Sequence, residues 1–254
     1  RVKDNNSEYN VKEIEKNIIE LTKSWNDKLT ATIRTTYGEA AGKVIEKKYE
    51  DAFPPSYKEQ NLPSAALVDL EKIELLSAEH TLDMLFYRPQ EEALDSEVVK
   101  LKLFHKNEPI HLSAVLPMLE NFGLRVIEES PYRVKSSDGQ MNWIMEFTML
   151  HSTSNRMDLV RAQALFQDAF AKVWSNDLED DAFNRLVLGA GLPGRTVTIL
   201  RAYAKYMRQI GSSFSKDYIA NTLAHYPDIA KILASLFNQR YNPKVRRSNK
   251  REET

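Results

Sequence analysis

Cysteine is absent from the 254 residues. Disulfides, thiolate metal sites and cysteine nucleophiles are therefore excluded, and the composition fits a reducing compartment such as the cytoplasm. No stretch approaches the ~18 apolar residues of a membrane helix. Arg1 to Asn10 is polar and has no signal-peptide core. The chain begins with arginine rather than methionine, as expected after processing or in a piece of a longer protein. An excess of one charge is also lacking: the formal net charge is −1. Nothing draws the whole chain to nucleic acid or membrane, and either partner would require a local patch. Repeats, low-complexity tracts, a phosphate-binding P-loop and a serine in a nucleophile elbow are missing too.

What is present is a globular composition, 42% hydrophobic and 28% charged, with length for one or two domains. Residues 1–62 read as a helical segment. Val11, Ile14, Ile18, Leu21 and Trp25 make one stripe at spacings of three and four, and a second stretch with Val44, Ile45 and Tyr49 stops at Pro54-Pro55. Residues 63–156 alternate α and β. A helix is expected over Ala66 to Ala78, then strands over Thr81 to Arg88 and Val98 to His105. In the second strand Val99, Leu101 and Leu103 oppose Lys100 and Lys102. Ser113 can cap a helix that Gly123 ends. Arg125 to Val134 and Met141 to Leu150 form a hairpin around Ser136-Ser137-Asp138-Gly139. Its second strand puts Trp143, Met145, Phe147 and Met149 on one face and Asn142, Glu146 and Thr148 on the other.

Residues 157–241 are helical, with stripes at Leu159, Ala162, Phe166, Ala169 and Val173, at Val197, Leu200, Ala204 and Met207, and at Ile229, Ile232, Leu233, Leu236 and Phe237. Ser215 suits an N-cap. Residues 242–254, with Lys244, Arg246, Arg247, Lys250 and Arg251, are a polar linker or tail. The fold class is therefore α+β: a βαββα module of ferredoxin-like type, as in ACT domains, flanked by N-terminal helices and a C-terminal all-helical bundle.

Gly189-Ala190-Gly191-Leu192-Pro193-Gly194 matches the dinucleotide pattern G-x-G-x-x-G. A true site would follow a strand, open a helix and carry an acidic residue about 20 positions on at the end of a second strand. Here Phe183, Leu186, Val187 and Ala190 have helical spacing, and Asp217 sits at a helix start. The context favours a helical corner with flexible glycines. Five histidines, at positions 80, 105, 111, 151 and 225, include no i, i+4 pair of a zinc helix. No metal ligand and no catalytic or cofactor-binding residue is assigned. Arg201, Lys205 and Arg208 share a helix face with Tyr203 and Tyr206 nearby. Such a face suits protein docking or nucleic acid, and docking against acidic residues such as Glu179, Asp180 and Asp181 is favoured.

Two passages carry a family resemblance. One is Pro109-Ile110-His111-Leu112-Ser113 through Asn121-Phe122-Gly123-Leu124-Arg125 to Glu128-Glu129, followed by Pro131-Tyr132. The other runs from Phe183-Asn184-Arg185-Leu186 through Leu200-Arg201-Ala202-Tyr203-Ala204-Lys205-Tyr206-Met207-Arg208 to Gly211, then Phe214-Ser215. Both resemble the large bacterial NAD-dependent glutamate dehydrogenases, and weaker matches extend over most of the chain. The resemblance implies a region of ACT-like modules and helical motifs N-terminal to the catalytic domain. The parent would oxidise L-glutamate to 2-oxoglutarate and ammonium with NAD, and its catalytic machinery would lie after Tyr241.

It also implies an effector loop after the module's first strand. His105, Asn107, Glu108, His111 and Ser113 would receive a small amino acid there, against the alternative of an ordinary solvated connection. The expected partners are the catalytic domain, other subunits of a homo-oligomer and that effector, with no nucleic acid and no membrane. The leading reading is a regulatory and assembly segment. The alternatives are an independent ACT-like effector-binding or interaction module, and a dehydrogenase domain using Gly189 to Gly194.

Overall fold

A computed structural model describes residues 23–89, 91–93, 96–151 and 159–243. The expected stripe from Val11 to Leu21 and the basic tail after Pro243 lie outside these residues. The chain divides into two compact units. The first comprises residues 1–83, 104–108 and 132–144, the second residues 84–103, 109–131 and 145–254.

In the first unit, α1 (Trp25–Tyr49) starts at a reciprocal capping box. The Asp27 amide donates to Ser24 Oγ at 3.1 Å, and the Ser24 amide donates to Asp27 Oδ2 at 2.9 Å. Gly38, at φ 77° and ψ 172°, interrupts the helix. A side chain would strain this backbone, so glycine is what lets the chain reverse. The two arms pack back on each other. A Cβ at Gly42 would lie 3.1 Å from Arg34 Cα, and Arg34 grips Glu46 through Nε at 3.0 Å and Nη2 at 2.8 Å. Two prolines then open short helices at N1, where no amide donor is needed: α2 (Pro55–Gln60) and α3 (Pro63–Glu74). Trp25, Phe53, Tyr57 and Tyr132 form an edge-to-face and stacked cluster. Tyr49 is buried as expected, but Val44 is exposed.

The strands are β1 (Leu82–Tyr87), β2 (Val98–Lys106), β3 (Leu124–Lys135) and β4 (Met141–His151), in the order β1-β2-β4-β3. Their register is antiparallel. Asn107 donates to the Met141 carbonyl at 2.8 Å, and His151 donates to the Glu97 carbonyl at 2.9 Å. Gly139, at φ 86°, turns the expected hairpin between β3 and β4. In the first unit the hairpin tip is tied to the helices: Ser137 donates to the Lys48 carbonyl at 2.9 Å and Lys135 to the Ala52 carbonyl at 3.2 Å.

In the second unit, α4 (Leu112–Asn121) joins β2 to β3, and α5 (Leu159–Trp174) follows β4. Phe86, Phe122, Phe166 and Phe170 pack together there. The alternation in β2 and β4 has a different outcome from the simple apolar-in, polar-out reading. Lys102, Asn142 and Glu146 are buried as well. Within this unit Lys100 Nζ meets Glu146 Oε1 at 2.7 Å, and Lys102 Nζ approaches Glu146 Oε2 at 3.8 Å. β2 and β4 are the inner strands of the sheet, and the charges buried on them pair.

A 3₁₀ turn (Ala182–Asn184) then leads to α6 (Arg185–Gly189), α7 (Gly194–Gln209), α8 (Lys216–His225) and α9 (Pro227–Tyr241). Ser215 caps α8, accepting from the Tyr218 amide at 3.1 Å. Ser113 does not cap α4: it lies inside the first turn. His111 holds the N-cap position without a side-chain bond, and its carbonyl receives the Ala114 amide at 3.0 Å.

Candidate functional site

The glycine-rich loop connects helix to helix. Gly189 is the last residue of α6, Gly191 sits at φ 61°, and Gly194 is the first residue of α7. A helix, not a strand, leads into this loop, which differs from the strand-to-helix turn of a dinucleotide site. Gly194 is nevertheless not a flexible glycine. A Cβ there would stand 3.2 Å from Leu178 Cδ2 and 3.5 Å from Ala169 Cβ. It is kept small by close packing of α7 on α5.

The residues expected to form an effector loop divide between the two units. In the first, Asn107 takes a left-handed φ of 69° and stays in the β ladder through its amide. His105 Nδ1 lies 2.7 Å from the Glu108 carbonyl, which closes the turn on itself. In the second, His111 and Ser113 are exposed at the start of α4.

The basic face of α7 also separates. Arg201 is 1% exposed. Its Nε donates to Asp181 Oδ2 at 2.9 Å, and its Nη2 donates to Asp181 Oδ1 at 3.0 Å and Asn184 Oδ1 at 2.8 Å. This is a bidentate fork on a carboxylate that also takes Lys216 Nζ at 3.1 Å and caps the turn by accepting from the Phe183 amide at 3.0 Å. Burial works against the Asp181 charge. The bonds and charge of Arg201, then of Lys216, outweigh it and hold the carboxyl below its ordinary range. Arg201 therefore cannot belong to an exposed docking face. The acidic residues it was expected to meet belong to its own chain. Lys205 pairs with Glu179 at 2.6 Å with both side chains half exposed, and Arg208 is exposed.

The second unit also holds a cavity of about 430 Å³ where the end of α4, the start of β3, the end of β4, α6 and α8 meet. Buried Phe122 and Leu124 form its apolar part, and Glu120, Arg125, His151 and Arg185 its polar part. Arg185 is steadied by Asn221, donating from Nη1 to Oδ1 at 2.6 Å. Its stem lies along Gly123, where a Cβ would be 3.6 Å from Arg185 Cγ. Burial first, and the Arg88 charge second, push the His151 imidazole down to about 4. Sequence reasoning missed this group because its members lie far apart in the chain and share no motif. Among the described residues, no cluster of three or more histidine, aspartate or glutamate side chains could hold a metal ion. Among them, too, no helix is long and apolar enough to cross a membrane.

Comparison with known proteins identifies the modules. Residues 32–76 match the glutamate dehydrogenase helical motif 2, residues 81–162 the glutamate dehydrogenase ACT3 domain, and residues 178–243 the glutamate dehydrogenase helical motif 3. An NAD-specific glutamate dehydrogenase of Halomonas elongata is 42% identical over 239 residues, 94% of this chain. The namesakes of Pseudomonas aeruginosa and Mycobacterium tuberculosis are 40% and 32% identical over 90% and 93% of it. The chain belongs to the NAD-specific glutamate dehydrogenase family. It spans only 14–15% of the length of these relatives. Within this glutamate dehydrogenase segment, the ACT3 match takes in all four strands, and the helical motif 3 match takes in the Arg201–Asp181 pair.

Proposed function

We propose that this chain is a non-catalytic regulatory and assembly segment of an NAD-dependent glutamate dehydrogenase. The parent enzyme would oxidise L-glutamate to 2-oxoglutarate and ammonium and reduce NAD. One observation carries the reading: three glutamate dehydrogenase modules, two helical motifs around an ACT domain, follow one another along the chain, while its one dinucleotide-like loop joins two helices. The layout supports an ACT-like module. Strands β2, β4 and β3 stand in ferredoxin-like order with α4 as crossover, and β1 takes the edge that the last strand of that fold would fill.

Assembly is supported by an apolar face on the helical motif. Ile229, Ile232, Leu233 and Leu236 of α9, with Tyr203, Tyr206 and Met207 of α7, are exposed. In a homo-oligomeric parent they would meet the catalytic domain or a neighbouring subunit. Contiguous apolar surface of this kind marks an interaction site.

Two measurements test the proposal. Calorimetric titration of NAD into the chain should give no saturable heat, and saturable micromolar binding lost on Gly191→Val would reject it. In the full-length enzyme, Ile232→Asp with Leu236→Asp should lower the sedimenting mass or loosen the catalytic domain. An unchanged assembly would remove the docking role.

A further inference from the structure

The last helix of the second unit carries a row of side chains that is complementary to itself. Asp228 lies in the first turn of α9 and Arg240 in the last, with Ile232 and Leu236 between them. The four recur at every fourth residue, so they form one ridge along the helix. In one direction the ridge runs acid, apolar, apolar, base. Set antiparallel, a second copy opposes each member with its complement. We propose that α9 pairs antiparallel with α9 of a second copy of this chain, with Ile232 of each against Leu236 of the other and Asp228 of each beside Arg240 of the other. The inference deepens the assembly reading and rests on it, since it names the partner of the apolar face.

The ridge is available for such a contact. Ile232 is 65% exposed, Leu236 58%, and the Asp228 side chain 80%. α9 is held to its own unit by its other side, through buried Ala230 and through Phe237, which meets Tyr203 of α7. Asp228 accepts from Lys231 Nζ at 3.1 Å in an exposed pair, and a carboxylate has room for a second donor. Arg240 lies over the Tyr241 ring, 5.9 Å from its centre, a contact that leaves its N–H donors at the rim.

The contact also has width. Beside the ridge, Ile199, Ala202, Tyr203 and Tyr206 of α7 stand at i, i+3, i+4 and i+7 and, with Phe237, line a groove of about 330 Å³. That spacing makes the hole into which a neighbouring helix inserts a knob. The large apolar side chains of α7 and α9 that face outward are 40–65% exposed. They would bring on the order of 700 Å² from each copy, near the roughly 800 Å² per partner of a stable interface. Burial of this area drives the association, and the rim charges select register and direction. Parallel pairing would set Asp228 against Asp228 and Arg240 against Arg240. Antiparallel helices also place opposite ends of their dipoles side by side.

Sedimentation equilibrium of the chain gives the test. The wild-type chain should form a dimer at micromolar concentration. Asp228→Arg alone and Arg240→Asp alone each bring like charges together twice across the twofold axis, and each should weaken the dimer by about tenfold. Asp228→Arg combined with Arg240→Asp restores opposite charges at both ends and should return the dimer to within about threefold of wild type, a rescue that loss of helix structure would not produce. Ile232→Asp should give a monomer with unchanged circular dichroism. The proposal is overturned by a wild-type chain that stays monomeric at its highest soluble concentration, by single charge reversals that leave the dimer unchanged, by a folded double reversal as weak as the single ones, or by a dimer that survives Ile232→Asp. If any of these occurs while Ile232→Asp with Leu236→Asp still disrupts the full-length enzyme, the face docks on another part of the parent. The assembly reading then stands and the second copy is rejected as the partner.

Discussion

Replacing Arg201 by glutamate tests the interior of the helical motif. Read as a surface position, Arg201 would tolerate charge reversal, because the apolar stripe beside it is untouched. In the structure the guanidinium is 1% exposed and delivers two bonds to Asp181 and one to Asn184. Removing one partner of a buried ion pair costs about 3–5 kcal/mol, because the remaining charge stays buried and unpaired. Glutamate also sets a second anion beside Asp181, where Lys216 alone remains to oppose it. A loss of about 4 kcal/mol is a large part of the 5–15 kcal/mol that holds a typical domain together.

Urea denaturation followed by circular dichroism reads this directly. With a slope of about 2 kcal/mol/M, the midpoint should fall by about 2 M. Arg201→Lys should lie between, since an ammonium cannot match the carboxylate fork. Lys205→Glu is the internal control. Its pair with Glu179 is 49% exposed on both sides, and such pairs contribute about 0–1 kcal/mol. A midpoint for Arg201→Glu within the error of wild type, or equal to that of Lys205→Glu, would refute the buried fork.

His151 gives a pH signature. Its folded pKa of about 4 lies below the ordinary 6.5, so the unfolded chain takes up the proton first as pH falls. Stability is complete above about 6.5 and drains away towards 4. Between pH 7 and pH 5 the loss is about 2 kcal/mol, and His151→Gln should remove most of it in urea melts at the two pH values; an unchanged slope would contradict the buried neutral imidazole. Asn142 is fully buried, and neither amide atom has a hydrogen-bond partner among the described residues. Asn142→Leu should therefore raise stability by about 1–3 kcal/mol, and a fall in melting temperature would show that the amide is satisfied in solution. Gly38→Ala puts a methyl group on a backbone at φ 77° with open space around it, so strain alone should cost about 1–2 kcal/mol in the same melts.

Local chemistry was legible wherever one residue and its neighbours decide the outcome. The Asp138-Gly139 turn, the Ser215 cap and the buried stripe of Ala162, Phe166, Ala169 and Val173 all follow from spacing and appear as read. Strand faces were legible as faces, but not in what covers them. Alternation separates Asn142 and Glu146 from Trp143 and Phe147 without saying that Asn142 and Glu146 are buried along with Phe147. Arg201 had a signal that charge obscured. It stands four residues after Val197 and three before Ala204, both buried, so it lies on the apolar stripe of α7 and not opposite it. A charged side chain on a buried stripe demands a partner in its own chain, and Asp181 is within reach after the turn that Gly191 allows. The Glu120, Arg125 and Arg185 cavity had no such signal, because only tertiary packing brings its members together.

The last helix shows why periodicity marks a face without naming its partner. Ile229, Ile232, Leu233 and Leu236 of α9 recur at helical spacing and are exposed, Ile232 by 65% and Leu236 by 58%, while small Ala230 is buried. The helix thus rests on its small residue and turns its large ones outward. Full burial of such a side chain is worth about 1.5–3 kcal/mol. Four of them on one face are a reserve that the helical motif leaves unused among the described residues. α7 has the reverse arrangement at its centre, with its arginine inside and Tyr203, Tyr206 and Met207 outside. The arginine at the centre of the face that charge alone would nominate for docking is spent on internal structure, while Arg208 stays exposed. The surface left over is apolar and continuous across α7 and α9, where Tyr203 meets Phe237 edge-to-face at 6.0 Å. Docking on that surface would be driven by burial of area and would be nearly indifferent to salt, whereas docking through an arginine and lysine face would weaken steeply as ionic strength rises.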